Sequence, residues 1–258
     1  MIRRAALVTG STSGIGLGIA KALAGAGYDI MLNGFATAPQ IQALVSDLSS
    51  CGIRAEYNAA DMSKPAEIRS LVKATTDTFG RIDVLVNNAG IQHVARTDVF
   101  PEDKWDSILA INLSAAFHTT KAVLPHMEKE GWGRVINVAS VHGRVASEGK
   151  CAYVAAKHGL IGLTKVVALE NANAGITANA ICPGWVETPL VLQQVAARAA
   201  AAGISEAEAA ERIVGEKQPM KRFTPPSSIG ALAVFLCSDA AGTITGSEQL
   251  IDGGWLAQ

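Results

Sequence analysis

The stretch that decides the fold is Ala5–Tyr28, AALVTGSTSGIGLGIAKALAGAGY. AALVTG is a short, continuous apolar run and reads as a strand buried on both faces. Gly10-Ser-Thr-Ser-Gly14-Ile-Gly16 follows as a glycine turn. IGLGIAKALAGAGY is apolar and alanine-rich, the composition of a buried helix. A strand, a glycine turn and a helix N-terminus in that order make a site for a pyrophosphate. The first-turn N–H groups and the helix dipole attract the anion, and glycines let the backbone come close. The spacing is Gly-x3-Gly-x-Gly rather than the commoner Gly-x-Gly-x-x-Gly.

Working outward, apolar segments keep alternating with helical ones. DIMLNG (29–34), RAEYNA (54–59), VLVNNAG (84–90), RVINVAS (134–140), TANAICPG (177–184) and EQLIDGG (248–254) are the remaining candidate strands. Such alternation predicts an α/β fold with a doubly wound parallel sheet and helices on both faces. Strands one to three form one mononucleotide half and strands four to six the other, with the ligand crevice at the strand carboxyl ends. The polar and glycine positions obey that geometry: Gly10 follows strand one, Asp61 strand three, Asn87 and Gly90 strand four, Ser140 strand five, and Pro183-Gly184 strand six. Neither a linker nor a repeat interrupts the chain, so residues 1–258 read as one domain. Only 187–222 departs from the alternation. Its Ala/Glu-rich sequence predicts one or two helices broken near Gly203, placed as a lid over the crevice.

Composition narrows the function. Of 258 residues, 49% are hydrophobic and 17% charged, enough for a large core. The net charge of −1 gives no electrostatic case for nucleic acid or an anionic membrane, and Arg3-Arg4 and Lys221-Arg222 are too sparse to restore one. No apolar run reads as a membrane span. MIRRAALVTG opens like a secretion signal, but its apolar piece is short and runs into the glycine turn. Cys51, Cys151, Cys182 and Cys237 are scattered, without a Cys-x-x-Cys pair, which predicts a reduced, cytoplasmic setting. The histidines show no metal-ligand spacing, and no metal is expected.

Tyr153 and Lys157 stand four apart in the helical stretch YVAAKHGLIGLTK, on one helix face. An ammonium near a phenol favours the phenolate, so Lys157 is expected to lower the Tyr153 pKa. Ser140, at the end of RVINVAS, can bond the oxygen that Tyr153 serves. Such a set moves a proton on or off an alcohol while a hydride moves elsewhere.

These features together resemble the short-chain dehydrogenase/reductase family over nearly the whole chain. Thr9-Gly10-x3-Gly14-Ile15-Gly16 matches its cofactor loop and Asn87-Asn88-Ala89-Gly90 its fourth-strand motif. Asn112 in INLSAAF, with Ser140, Tyr153 and Lys157, matches its catalytic tetrad, and Pro183-Gly184 its loop after strand six. The resemblance implies a nicotinamide cofactor held by Gly10, Thr12, Ser13, Gly14, Ile15 and Gly16 at the pyrophosphate. It implies Asp61-Met62 at the adenine edge, and Asn88, Ala89 and Gly90 along the middle. Lys157 would bond the nicotinamide ribose, and Thr188, after Pro183, Gly184 and Val186, would reach the carboxamide. Asn112 would hold a water that links Lys157 to solvent. A homotetramer is also implied; apolar IGLTKVVALENANAG (161–175) and EQLIDGGWLAQ (248–258) agree with it.

The end of strand two, Leu32-Asn33-Gly34-Phe35-Ala36-Thr37, decides between NAD and NADP. It has no arginine or lysine for a 2′-phosphate, and position 13 is Ser13, so NAD is expected. The usual NAD-selecting carboxylate is absent too. Asn33 could bind ribose hydroxyls, with Phe35 beside the adenosine. The substrate is read from polar residues bordering the reaction centre: Gln92, His142, Lys150 and Gln194 suggest a pocket for an anionic group. GIQH (90–93), SVHG (140–143), KCAYVAAKHG (150–159) and NAICPGWVETPL (179–190) are similar to members of the family that act on D-3-hydroxybutyrate. By that resemblance the four polar residues bind the carboxylate, and Trp185 and Trp255 bound the small apolar end. Arg144 and Glu187 find no place in this scheme. The alternatives are an NADPH-preferring 3-oxoacyl carrier-protein reductase, which should carry a basic docking patch, and a nucleotide-sensing protein without chemistry.

Overall fold

The structure, a computed structural model, describes residues 3–258; Met1 and Ile2, part of the expected 1–258 domain, lie outside the described residues. All seven expected strands form. β1 is Ala5–Val8, β2 Asp29–Asn33, β3 Ala55–Asn58 and β4 Val84–Asn87. β5 is Gly133–Val138, β6 Ile176–Pro183 and β7 Glu248–Ile251. They pair in parallel in the order β3-β2-β1-β4-β5-β6-β7. The order reverses between β1 and β4, so the chain ends leaving those two strands flank a crevice.

Alternate residues of each strand feed opposite faces. Ala6, Val8, Ile30, Leu32, Val84 and Val86 pack with α1 (Gly14–Gly25), α2 (Ala38–Ser49) and α9 (Pro226–Cys237). Leu7, Met31, Leu85 and Val135 face the other way, onto α3 (Pro65–Phe79), α5 (Ala115–Glu130) and α6 (Cys151–Glu170). Both faces are covered, which is why these strands are apolar throughout. α4 (Glu102–Leu109) leads into α5 through one π-helical turn, Ala110–Ser114.

α6 corrects one expectation. It is long and apolar enough to cross a membrane by length and composition. In the fold it is a core helix: Ala152, Ala156, Leu160, Ile161, Val167 and Ala168 are buried. The 187–222 stretch forms two helices, α7 (Pro189–Ala202) and α8 (Glu206–Gly215), with Gly203 in left-handed conformation closing α7. They pack on each other through Val195, Ala199, Ala209 and Ile213, with Trp185 and Phe223 against them.

Candidate active site

The turn after β1 is held open by its neighbours. Gly10 sits at φ +59°, and a Cβ there would stand 2.8 Å from Ala89 Cα. A Cβ on Gly16 would land on Asn88 Nδ2 and Gly10 O. Asn88 Nδ2 donates to the Thr9 and Gly10 carbonyls, both at 2.9 Å, and Thr9 Oγ1 accepts the Asn88 and Ala89 N–H groups. The loops after β1 and β4 are thus one hydrogen-bonded unit. Ser13 caps α1 without a side-chain bond, which leaves the first-turn N–H groups to a ligand.

A cavity of about 520 Å3 runs from this turn to α6. Thr12, Ser13, Gly14, Ile15, Phe35, Asp61 and Met62 line one end, and Ala89, Gly90, Gly184, Val186 and Thr188 the middle. Ser140, His142, Lys150, Tyr153, Lys157, Gln92, Trp185 and Trp255 gather at the other end. Gly16 and Pro183 lie beneath the lining rather than in it, as the Gly16 contact with Asn88 requires. The lining also takes in Ile91, Ile111, Val141 and Val191, apolar residues with no distinguishing signal in the sequence.

Three residues differ from expectation. Asn33 is fully buried and its amide is turned to the protein: Nδ2 donates to the Asn58 and Ala60 carbonyls, and Oδ1 accepts the Gly10 N–H. It anchors the glycine turn, with both amide hydrogens already used. Asn112 is outside the cavity lining; its Oδ1 accepts the Ile91 N–H and its Nδ2 donates to Ile91 O, both at 2.9 Å. Its side chain braces the loop after β4 instead of facing the cavity. Gln194 is exposed on α7, one turn beyond Val191 and outside the lining, because the buried side of α7 is set by Val195 and Ala199.

At the reacting end, Lys157 Nζ donates to Val138 O at 2.7 Å and lies 5.6 Å from the Tyr153 ring centre. Burial draws the Lys157 ammonium down to about 8. Burial also raises Tyr153 above its ordinary value, with the Ser140 side chain opposing. The expected lowering of Tyr153 by Lys157 is not seen here: desolvation dominates, and the opposing contribution comes from Ser140 rather than from the lysine.

Ser140 Oγ accepts the His142 N–H at 3.1 Å, and His142 Nε2 meets Ser147 Oγ at 2.9 Å. Burial, with the charge of Lys150 second, pushes His142 down to about 4, so its ring is neutral. Lys150 is half-buried, and among the described residues no carboxylate pairs with it. Its Nζ lies 5.9 Å from the Trp185 ring, which stacks on Trp255 at 6.4 Å. The Trp185 indole N–H is buried without a partner among the described residues, so that wall is not wholly apolar. Arg144 finds its place outside the cavity, bonded at 3.1 Å to Glu248, which also pairs with Lys165. Glu187 is exposed and held by its main chain at Thr224.

A dinucleotide-sized cleft at the switch point, with a tyrosine, lysine and serine at one end, defines an oxidoreductase of the nucleotide-binding α/β class. The profile described as "short chain dehydrogenase" matches residues 4–199, and the chain belongs to that family, whose members use a nicotinamide cofactor. A D-beta-hydroxybutyrate dehydrogenase of Cupriavidus necator is 57% identical over 255 residues, covering 99% of this chain and 98% of the relative. One of Rhizobium meliloti is 49% identical over 258 residues, 99% of each. The crystal structure of an actinorhodin polyketide ketoreductase with NADPH superposes with a TM-score of 0.90 at 34% identity, covering 98% of this chain and 97% of the other.

Proposed function

We propose that the protein interconverts D-3-hydroxybutyrate and acetoacetate with NAD, under a lid formed by α7 and α8. The observation that carries the substrate is Lys150: a half-buried ammonium without an acidic partner among the described residues, in the same cavity as Ser140 and Tyr153. A buried charge lacking a counter-ion is costly unless a ligand brings one. Neutral His142 and Gln92 add hydrogen-bonding groups without competing charge. The Trp185–Trp255 stack leaves room for a small apolar end. Two close relatives named for this reaction agree with the reading.

The cavity fits the cofactor: the free N–H groups at α1 suit a pyrophosphate, and Asp61 and Met62 lie at the adenine end. Bound there, a nicotinamide would supply the acceptor for the hydride leaving substrate C3. Ser140 holds the substrate oxygen, Tyr153 takes its proton, and Lys157 supplies the nearby positive charge. In the reverse direction Tyr153 returns the proton to the ketone oxygen.

NAD is favoured over NADP by the groove beside Phe35. It is lined by Thr12, Ser13, Ala36, Gln40 and Asp47, and Lys21 is tied to Asp47 at 2.8 Å. The start of α2 offers a 2′-phosphate little, because Gln40 accepts the Thr37 N–H and Pro39 has none. The expected outcome is a higher kcat/KM with NAD than with NADP; the opposite order overturns the assignment.

The homotetramer rests on apolar side chains that the single chain leaves exposed: Phe117 on α5, Val166 and Leu169 on α6, Phe235 on α9 and Leu250 on β7. Light scattering should report four chains at micromolar concentration, and a monomer there refutes the assembly. The free cysteines suit a cytoplasmic setting.

A further inference from the structure

Gln218 lies between α8 and α9 and is one of the most buried polar residues, 1% exposed. The sequence gives it no distinction. Its amide stands where three segments of chain cross. Oε1 accepts the N–H of Trp185 at 3.1 Å, and Nε2 donates to Arg222 O at 2.6 Å. The same side chain closes on two glycines: a Cβ on Gly184 would stand 2.7 Å from its Oε1, and one on Gly253 2.6 Å from its Cγ. Its own N–H donates to Val214 O, in the last turn of α8.

Both tryptophans of the pocket depend on those segments. The Trp185 main chain is bonded on one side by Gln218 and on the other by the Thr224 N–H, at 2.9 Å to its carbonyl. The Gly253–Trp255 turn is held by Met220, whose N–H donates to Gly253 O, and by Asp252, which accepts the Gly254 and Leu256 N–H groups. Trp255 then stacks on Trp185 and faces His142 at 5.6 Å. No other side chain hydrogen-bonds the Trp185 main chain among the described residues.

We propose that Gln218 is a positioning residue for the substrate pocket: it fixes the Trp185–Trp255 wall and couples that wall to the docked end of α8. The Trp185 N–H finds its acceptor only when the chain leaving α8 is seated, so helix pair and wall assemble together. The inference rests on reading the cleft beside that wall as the hydroxy-acid site.

The test compares Gln218→Leu, which keeps volume and loses both bonds, with Gln218→Glu, which keeps the acceptor and loses the donation to Arg222. Quenching of tryptophan emission by acrylamide is read in a background with Trp105→Phe and Trp132→Phe, so that only the pocket pair reports. Gln218→Leu is expected to raise KM for D-3-hydroxybutyrate about tenfold, the scale of one or two lost buried hydrogen bonds. KM for NAD should stay near wild type, and quenching of the pair should increase. Gln218→Glu should move both readouts the same way by less. With quenching read on the folded fraction alone, after the unfolded material is removed by gel filtration, a merely structural role would lower kcat with the fraction of folded enzyme and leave KM and quenching alone; that result overturns the proposal. If Gln218→Leu does not fold, Gln218→Glu decides, and wild-type KM and quenching in it overturn the proposal equally. If the wild-type enzyme does not oxidise the hydroxy acid, the substrate reading falls, and the quenching comparison, which needs no substrate, decides on Gln218 by itself.

Discussion

Tyr153→Phe is expected to lower kcat by about 10²–10⁴-fold, the usual worth of a positioned acid–base group. Phenylalanine keeps the ring, so the edge contact with His142, 5.9 Å between centres, survives and the pocket keeps its shape. Only the proton carrier is lost. No neighbour can take its place. His142 is neutral with its ring pushed down to about 4, and its Nε2 is engaged by Ser147. Lys157 Nζ is engaged by Val138 O at 2.7 Å, and lies 5.6 Å from the Tyr153 ring centre. NADH binding, followed by fluorescence, should be little changed, because the glycine turn and the β4 loop are untouched. Wild-type oxidation should climb with pH across the neutral and alkaline range, since burial raises Tyr153 and its phenolate is the base; reduction should fall. The residual rate of the variant should lack that slope. Turnover near the wild-type rate would assign the proton transfer to another group.

The parts of this molecule that sequence reveals are those set by local pattern. The central strands are buried at every position and largely apolar, as in Ala5–Val8 and Val84–Asn87, while the edge strands Ala55–Asn58 and Glu248–Ile251 are more polar and were legible from their place in the strand–helix alternation. The glycine turn was legible because the backbone there admits few other residues. What escaped was set by crossings of distant chain. Asn33 looks like a free polar residue at a strand end until β3 and the glycine turn consume its amide. Asn112 is bonded to Ile91 within a π-helical turn that no periodicity announces. Gln218 is an ordinary glutamine in EKQPMKR until Trp185, Gly184 and Gly253 close around it. The pKa of Tyr153 escaped differently: its helical spacing from Lys157 says nothing of the desolvation that raises it.

Lys150→Ala is expected to raise KM for D-3-hydroxybutyrate by roughly ten- to a hundredfold, since a hydrogen bond to a charged group is worth about 1.5–3 kcal/mol. Among the described residues, no carboxylate pairs with the Lys150 side chain. Most basic residues of the surface meet an acid, as Lys73 meets Asp77 and Arg212 meets Glu208. Lys150 meets an aromatic ring and the cavity instead. Burial already draws it below its ordinary value, and a bound carboxylate would restore the charged form. The methyl ester of the same acid brings no charge, so it should be the poorer substrate for wild-type enzyme, and the substitution should scarcely alter its KM. His142 supplies an independent readout. Lys150 is second only to burial in holding its ring down, so the variant should titrate His142 at a higher pH by NMR, still below its ordinary 6.5 because burial remains. Equal turnover of ester and free acid by the wild-type enzyme would remove the carboxylate from the pocket. Reduction of a carrier-bound 3-oxo thioester, which is also uncharged at that end, would then be the better account of the same Ser140, Tyr153 and Lys157.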